Sequence, residues 1–586
     1  MGKKAKGRAK QSFLHGALIL TASMAVVRII GALFKIPLAN ILGGEGNGYF
    51  SAAYDLYNPL YALATAGFPI AISRMVSENV ARKRFRDVRQ VHRVSKPIFL
   101  LTGTIGTIAM MVGAFIYAYV IKAPEVKYAT LALAPTILFV CLMSIYRGYY
   151  EGLRNMVPTA LSEVIEAVCK LVLGLGIAYG VISYGLNEYA AKGTVFGKAY
   201  ETESLARSAT LPFAAAGAIL GISIGAMVGF LYLVFRHHRH GDGITKEELR
   251  CSPRAKPTRV TVKTLVSIAI PIGLGAIIMN VAGLIDSTLI LRRLSDTMRS
   301  NPLALLDEYS GLINPEIVER GNTHVFLYGC YSYAITIMML ISGVTQVFSI
   351  SALPSVTTAW AEGSYKKIKY NIEAVLRVTT LVTIPSGLGL MVLSNPIMEL
   401  VYGNQGTRSE VAIASNVLIM LGLAAIFAST STPICSMLQA VGRVDLPVKL
   451  ISVGMVIKII LNYTLVGIPQ INIQGAGVGT MVCYAMITVL SLYFLCKETK
   501  IIPDFMSVFI KPLLAGVSCA VAAYASQGLL SHVISPKIAT IFAILIAVIV
   551  YIIALFVFCA VTASDIRMLP KGEKIAKILE KRHWIG

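Results

Sequence analysis

A chain of 586 residues that is 56% hydrophobic and only 14% charged, with a mean hydropathy of +0.70, is not a water-soluble globular protein. Its formal net charge of +23 does not point to nucleic acid, because Lys and Arg fall in short runs between apolar segments, where membrane topology places them and where anionic lipid is the partner they fit. The nine cysteines show no CxxC spacing and nearly all lie within apolar segments, so they read as small buried hydrophobes and not as a disulfide framework or a zinc site.

In chain order, a basic N-terminus (residues 1–12) precedes an apolar run that is too long and too charged for a cleaved signal peptide and so stays as a first span. Windows of about 20 apolar residues give fourteen predicted spans: 13–40, 49–78, 97–121, 128–147, 158–182, 209–235, 264–291, 324–358, 378–394, 411–436, 450–467, 474–496, 505–530 and 538–562. Between the first two, Gly43-Gly44-Glu45-Gly46-Asn47-Gly48 reads as a turn at the outer face. With the N-terminus inside, the inner segments hold 37 of the 53 Lys and Arg and the outer loops 11, which places both termini in the cytoplasm.

Short motifs recur in order along the chain. Glu151–Pro158 resembles Gln439–Pro447, Phe68-Pro69 resembles Leu353-Pro354, and Gly217–Gly221 resembles Gly475–Gly479. These pairs predict two six-helix lobes related about an axis normal to the membrane, 13–236 and 264–500, joined by a flexible cytoplasmic linker, 237–263. Two further helices (501–565) and a cytoplasmic tail (566–586) follow. The linker carries His237, His238 and His240; metal binding and plain cationic character at a cytoplasmic boundary are both open for them.

Charge placed at bilayer depth selects the site. An ionised group there costs about 2.5–3.5 kcal/mol on insertion scales, so such residues face a bundle interior or a watery cavity. Arg28 and Lys35 lie seven apart on one helical face with Gly31 between them, and Asp55, Asn58 and Arg74 follow in the second segment. Three unpaired buried cations would cost roughly 8–10 kcal/mol, comparable to a domain's whole net stability of about 5–15 kcal/mol, so an anionic partner or water is expected beside them. Lys35 is also open to snorkelling outward, and Arg74 to pairing locally with Glu78. In the fourth span Ser144, Arg147 and Glu151 make a polar stripe; in the tenth, Ser429, Thr432, Ser436 and Gln439 do so, with helix–helix contact the competing reading. Glu163, Glu166 and Lys170 share a face of the fifth span, where Glu166 and Lys170 are spaced to neutralise each other. Asp286 either holds a coupling cation or proton, or pairs with Arg292 or Arg293. No phosphate-binding loop or HExxH occurs, so no enzyme chemistry is expected and no cofactor is required.

These residues carry a family resemblance. Arg28-Ile29-Ile30-Gly31, Lys35-Ile36-Pro37-Leu38 and Leu42-Gly43 through Gly48-Tyr49 resemble the opening of the polysaccharide-exporter branch of the MOP (multidrug/oligosaccharidyl-lipid/polysaccharide) superfamily. Gly67–Arg74 with Ser77-Glu78 is similar to the second-helix signature of the stage V sporulation protein B group, and Gln439–Pro447 and Asn462 through Thr480 resemble its C-lobe motifs. In the related MurJ-type flippases the first helix carries R-x-x-G-x-x-R. Here Arg28 and Gly31 match, Phe34 stands at the second arginine position and Lys35 follows it, a departure that favours the sporulation-protein branch.

The resemblance implies an all-α polytopic membrane protein of the MATE/MOP fold in the bacterial cytoplasmic membrane. Its implied activity is to flip undecaprenyl-diphosphate-linked saccharide, the peptidoglycan precursor lipid II foremost, by alternating access, in contact with membrane lipids and cell-wall synthesis machinery. It also implies a coupling sodium ion between the seventh, eleventh and twelfth helices, for which Asp286, Asn462 and Thr480 are the nearest residues; a coupling proton is the other option. Two rival expectations stand beside it: a cation-coupled multidrug antiporter of the same fold, and a non-transporting scaffold for envelope or spore-wall synthesis. An antiporter for cations would carry acids where this chain carries bases.

Overall fold

The computed structural model describes residues 13–62, 65, 67–403 and 408–561, so the basic N-terminus and the C-terminal tail lie outside the described residues. The described chain is almost wholly helical. In order come α1 (Phe13–Ala62), α2 (Phe68–Ala81), α3 (Phe85–Val120), α4 (Val126–Gly152), α5 (Val157–Lys192), α6 (Glu203–His240), α7 (Lys246–Cys251), α8 (Thr258–Ser300), α9 (Pro302–Glu308), α10 (Pro315–Glu319) and α11 (Thr323–Ala361). There follow α12 (Tyr365–Val392), α13 (Ser394–Tyr402), α14 (Arg408–Ala440), α15 (Asp445–Leu465), α16 (Asn472–Thr499), α17 (Lys511–Leu530) and α18 (Pro536–Val557). A two-residue antiparallel pair, β1 (Thr194–Val195) and β2 (Lys198–Ala199), links α5 to α6. The Glu188 carboxylate braces its tip, accepting from the Phe196 and Gly197 amides and the Thr194 hydroxyl.

Twelve helices among the described residues are long and apolar enough to cross a membrane, against fourteen predicted spans. The difference has two sources. The first predicted span and the first part of the second share α1, which counts as one element, the rest of the second running into the short α2; the seventh lies in α8, which is not among the twelve.

The turn expected at Gly43–Gly48 is instead a kink inside α1. Gly43 has φ 63 and ψ −175, a conformation essentially restricted to glycine, and the helix resumes at once. The segment is buried, since Glu45 is only 3% and Asn47 8% exposed. Buried polar groups need partners, and these have them. The Glu45 carboxylate accepts from Tyr49 (2.9 Å) and Asn322 (2.8 Å) and lies 3.4 Å from Arg320, while Asn47 donates to the Gly329 carbonyl at 3.0 Å. A Cβ on Gly329 would collide with the Gly44 carbonyl, so glycine there sets how closely the two backbones approach.

By packing, the chain divides into two units, one of residues 1–292 with 315–329, the other of 293–314 with 330–586. In the first, α5 packs on α6, α3 on α4, and α1 on α5 and α4; α8 belongs to it as far as Arg292. In the second, α14 packs on α16 and α12, and α17 on α18. Each unit contains the same two helix-ending turns. In the first, Arg154 (φ 58) donates to Glu151 and Asn155 to Tyr150; in the second, Gly442 (φ 91) donates to Gln439 and Arg443 to Leu438, position for position. Lys83 (φ 56) with Arg84, and Gly363 (φ 67) with Ser364, make the second such pair. These are helix caps closed by a left-handed residue.

The linker is not a loose tether. Arg89 grips the Asp242 carboxylate with two hydrogen bonds (2.8 and 3.1 Å), Arg86 Nε donates to the Leu249 carbonyl (3.1 Å), and Gln90 donates to that of Lys256 (2.8 Å). The Lys256 amide in turn donates to Asp87 at 2.7 Å. The segment is thereby docked along the first three turns of α3. His237 stacks on His92, ring centroids 4.7 Å apart, rather than gathering with His238 and His240.

Candidate functional site

The first half of α1 shows why charge can sit where lipid is expected. Its buried face carries Ser23, Phe34 and Leu38, and an exposed apolar stripe carries Val26, Ile29 and Leu33. Arg28 and Lys35, both exposed, form a third stripe about a third of a turn away from the apolar one. Between them Gly31 faces open space, since a Cβ there would meet nothing within 4 Å. The helix thus presents one stripe suited to lipid and another suited to water and anions.

Beyond the kink, the second half of α1 brings Asp55 into range of Lys35, and the two interact electrostatically. Asp55 accepts a hydrogen bond from the Tyr328 hydroxyl, and Ser287 and the buried Asp286 of α8 lie beside it. Asn58, one turn on, is exposed. Arg74 is exposed on α2, but local pairing does not hold it: Glu78 pairs with Arg82 at 2.8 Å, and Arg74 makes no ion pair among the described residues.

A column of charge runs through the first unit on α4 and α5. Arg147 donates to Glu166 at 3.0 Å and to the Ser162 hydroxyl at 2.9 Å. Glu163 accepts from Ser23 at 3.2 Å and lies in the field of Arg147, with Glu151 half-buried nearby. The expected neutralisation of Lys170 by Glu166 is therefore shared with Arg147. The Lys170 ammonium rests over the Phe34 ring, 4.7 Å from its centroid, and reaches the Tyr54 hydroxyl at 3.5 Å. Ser144 is buried on α4.

Sequence reasoning missed the aromatic border of this column. Phe50, Tyr54, Tyr57 and Tyr61 form a continuous row with successive centroids 4.9, 5.8 and 5.2 Å apart. Their helical spacing around Asp55 was the available signal. Aromatic faces bordered by hydrogen-bonding groups combine apolar contact area with polar specificity. The arrangement offers positive charge, a hydrogen-bonded carboxylate and a row of aromatic rings, with no nucleophile–base pair among these residues.

The residues expected for a sodium ion fall in both units. Asp286 sits beside Asp55 in the first. In the second, Asn462 is buried against Gly479, and the Thr480 hydroxyl donates to the Ala476 carbonyl (2.8 Å) with Tyr331 3.3 Å away. Arg293 is taken by the Tyr463 carbonyl (3.1 Å) and ring. Gln439 is exposed at the end of α14.

Comparison with known proteins agrees with this architecture. Residues 13–197 match a family model described as polysaccharide biosynthesis protein, and residues 328–564 one described as lipid II flippase MurJ. The chain is 24% identical over 569 residues to stage V sporulation protein B of Bacillus subtilis (strain 168), covering 96% of this chain and 98% of that one. It is 23% identical over 488 residues to lipid II flippase MurJ of the same organism, covering 80% of each. A solved structure of lipid II flippase MurJ in an inward closed conformation shares its fold, with a TM-score of 0.64 at 16% identity over 92% of this chain and 98% of that one. The chain thus resembles lipid II and polysaccharide flippases along most of its length and shares the fold of the MurJ structure.

Proposed function

We propose that this protein moves a polyprenyl-diphosphate-linked saccharide, of the lipid II class, across the bacterial cytoplasmic membrane. The observation that carries the reading is the Arg28–Gly31–Lys35 stripe, with both cations at the surface of an otherwise apolar span and open space at Gly31. A diphosphate is the ligand such a stripe suits: Arg binds its oxygens in bidentate fashion and Lys as a point charge. Asp55 with Tyr328, and the Tyr54–Tyr61 row, then face the saccharide, for which hydroxyl-directed hydrogen bonds and aromatic stacking are the fitting contacts. Relatives that carry lipid II flippase and polysaccharide biosynthesis names support the substrate class. The preponderance of basic residues in this stripe speaks against export of cationic drugs. The excess of Lys and Arg on one side supports cytoplasmic termini.

Complementation tests the reading. In a strain depleted of its lipid II flippase, the wild-type chain should restore growth, and Arg28→Ala should not, although it reaches the membrane at normal level. Growth supported equally by both forms would remove the stripe from the function.

A further inference from the structure

A second basic site lies away from the α1 stripe. The first turns of α3 and α8, together with the docked linker, enclose a cleft of about 770 Å³, and a neighbouring one of about 590 Å³ shares its Thr258 and Val262 wall and runs along α8 to Ile270. Every ionisable residue lining the two clefts is basic. Arg89 is matched by Asp242, whereas Arg93, Lys256, Arg259 and Lys263 form no ion pair with an acid among the described residues, and all four are exposed. Apart from Gln90, Thr258 and Ser267, the rest of the lining is apolar, with Pro97, Ile98, Val262, Val266 and Ile270 among it.

Depth along the helices explains the combination. α3 is 36 residues long, about 54 Å at 1.5 Å per residue, well beyond a hydrocarbon core of about 30 Å. Its charged residues fall in its first twelve positions, and the remainder, with Leu100, Leu101 and Ile105 exposed, is apolar. α8 repeats the pattern, Arg259 and Lys263 preceding an apolar run with Ile270 exposed. The clefts therefore sit where headgroups meet acyl chains, with cations on the headgroup side.

We infer that this cleft holds an anionic phospholipid of the surrounding leaflet, its phosphate between Arg93 and Lys256 and its acyl chains along Ile98, Val262 and Ile270. Basic pockets between spans at a membrane boundary suit such headgroups. A small soluble phosphate would leave the apolar wall uncovered, and a zwitterionic lipid would leave the cations unmatched. The inference rests on the membrane reading of α3 and α8, and not on the transport reading.

The test uses the full-length protein, stripped of lipid in detergent and titrated with phosphatidylglycerol or phosphatidylcholine, with retained lipid read by native mass spectrometry. Phosphatidylglycerol should be preferred, and Arg93→Gln with Lys256→Gln should lower that preference on the order of fivefold per charge removed. Arg93→Lys with Lys256→Arg should keep it, as should Lys246→Gln with Arg250→Gln, which removes two exposed charges of the same linker outside the cleft. On the wild-type protein, a photoreactive phosphatidylglycerol should label peptides spanning 86–98 and 255–270. Equal retention of the two lipids, label confined elsewhere, or displacement of phosphatidylglycerol by inorganic phosphate or by a polyprenyl-diphosphate-linked sugar would each overturn the inference.

Discussion

Lys35 stands where two demands meet, on the exposed cationic stripe and within the field of Asp55. Hydrogen bonds to charged groups contribute about 1.5–3 kcal/mol, so Lys35→Gln should lower translocation roughly tenfold to a hundredfold. Lys35→Arg should recover part of it, as measured by single-turnover flipping in vesicles. Gly31 gives a test of space instead of charge. Because nothing lies within 4 Å of a Cβ built there, Gly31→Ala should fold and transport normally. Gly31→Leu should melt at the wild-type temperature yet transport poorly, since its bulk fills the path between Arg28 and Lys35. Both cations were legible in the sequence because an ionised residue inside an apolar window is costly, and so marks a cavity or a partner. The contacts of the neighbouring charges Asp55 and Lys170 were not: Tyr328 is 273 positions from Asp55, and Tyr54 is 116 from Lys170, distances over which periodicity carries no information.

Hydropathy located the helices well, but it read Gly43–Gly48 as an outer turn because glycine density and a carboxylate look like a loop. What holds the segment helical is tertiary, the capture of Glu45 by Tyr49, Asn322 and Arg320. Gly43→Val puts a β-branched side chain at positive φ, at a cost of about 1–3 kcal/mol, and should lower the thermal midpoint in detergent while Gly44→Ala does so less. The linker shows the same limit. Its polar composition suggested a tether, yet its backbone is hydrogen-bonded to α3. Burial would push the Asp242 carboxyl up, but the bonds from Arg89, the Ile244 amide and Tyr149 outweigh it and hold the group below the ordinary carboxylate value. A depressed value means the contribution to stability is complete above the ordinary Asp range near about 3.9 and is lost as pH falls through the folded-state value. Limited proteolysis within 241–257 should therefore be slow at neutral pH and quicken only in strong acid. Asp242→Asn should quicken it at neutral pH, by an amount equivalent to about 1 kcal/mol, because Arg89 is half exposed and its pairing is screened.

At the scale of the molecule, two packing units carry matching helix-ending turns, Arg154 with Gly442 and Lys83 with Gly363. The recurrence was visible in the Glu151–Pro158 and Gln439–Pro447 motifs because a left-handed cap demands a short, recognisable sequence. Packing groups α8 up to Arg292 with the first unit. The central claim is that the stripe on α1 receives the phosphorylated head of a lipid-linked saccharide. Its most direct test is translocation of fluorescent lipid II in proteoliposomes by the wild-type chain, Arg28→Ala and Lys35→Gln, each normalised to correctly folded protein. Transport by the wild type, with loss of at least about tenfold in both variants, is the predicted result. Wild-type rates in both variants, or no transport by the wild type of any polyprenyl-diphosphate-linked saccharide, would contradict it.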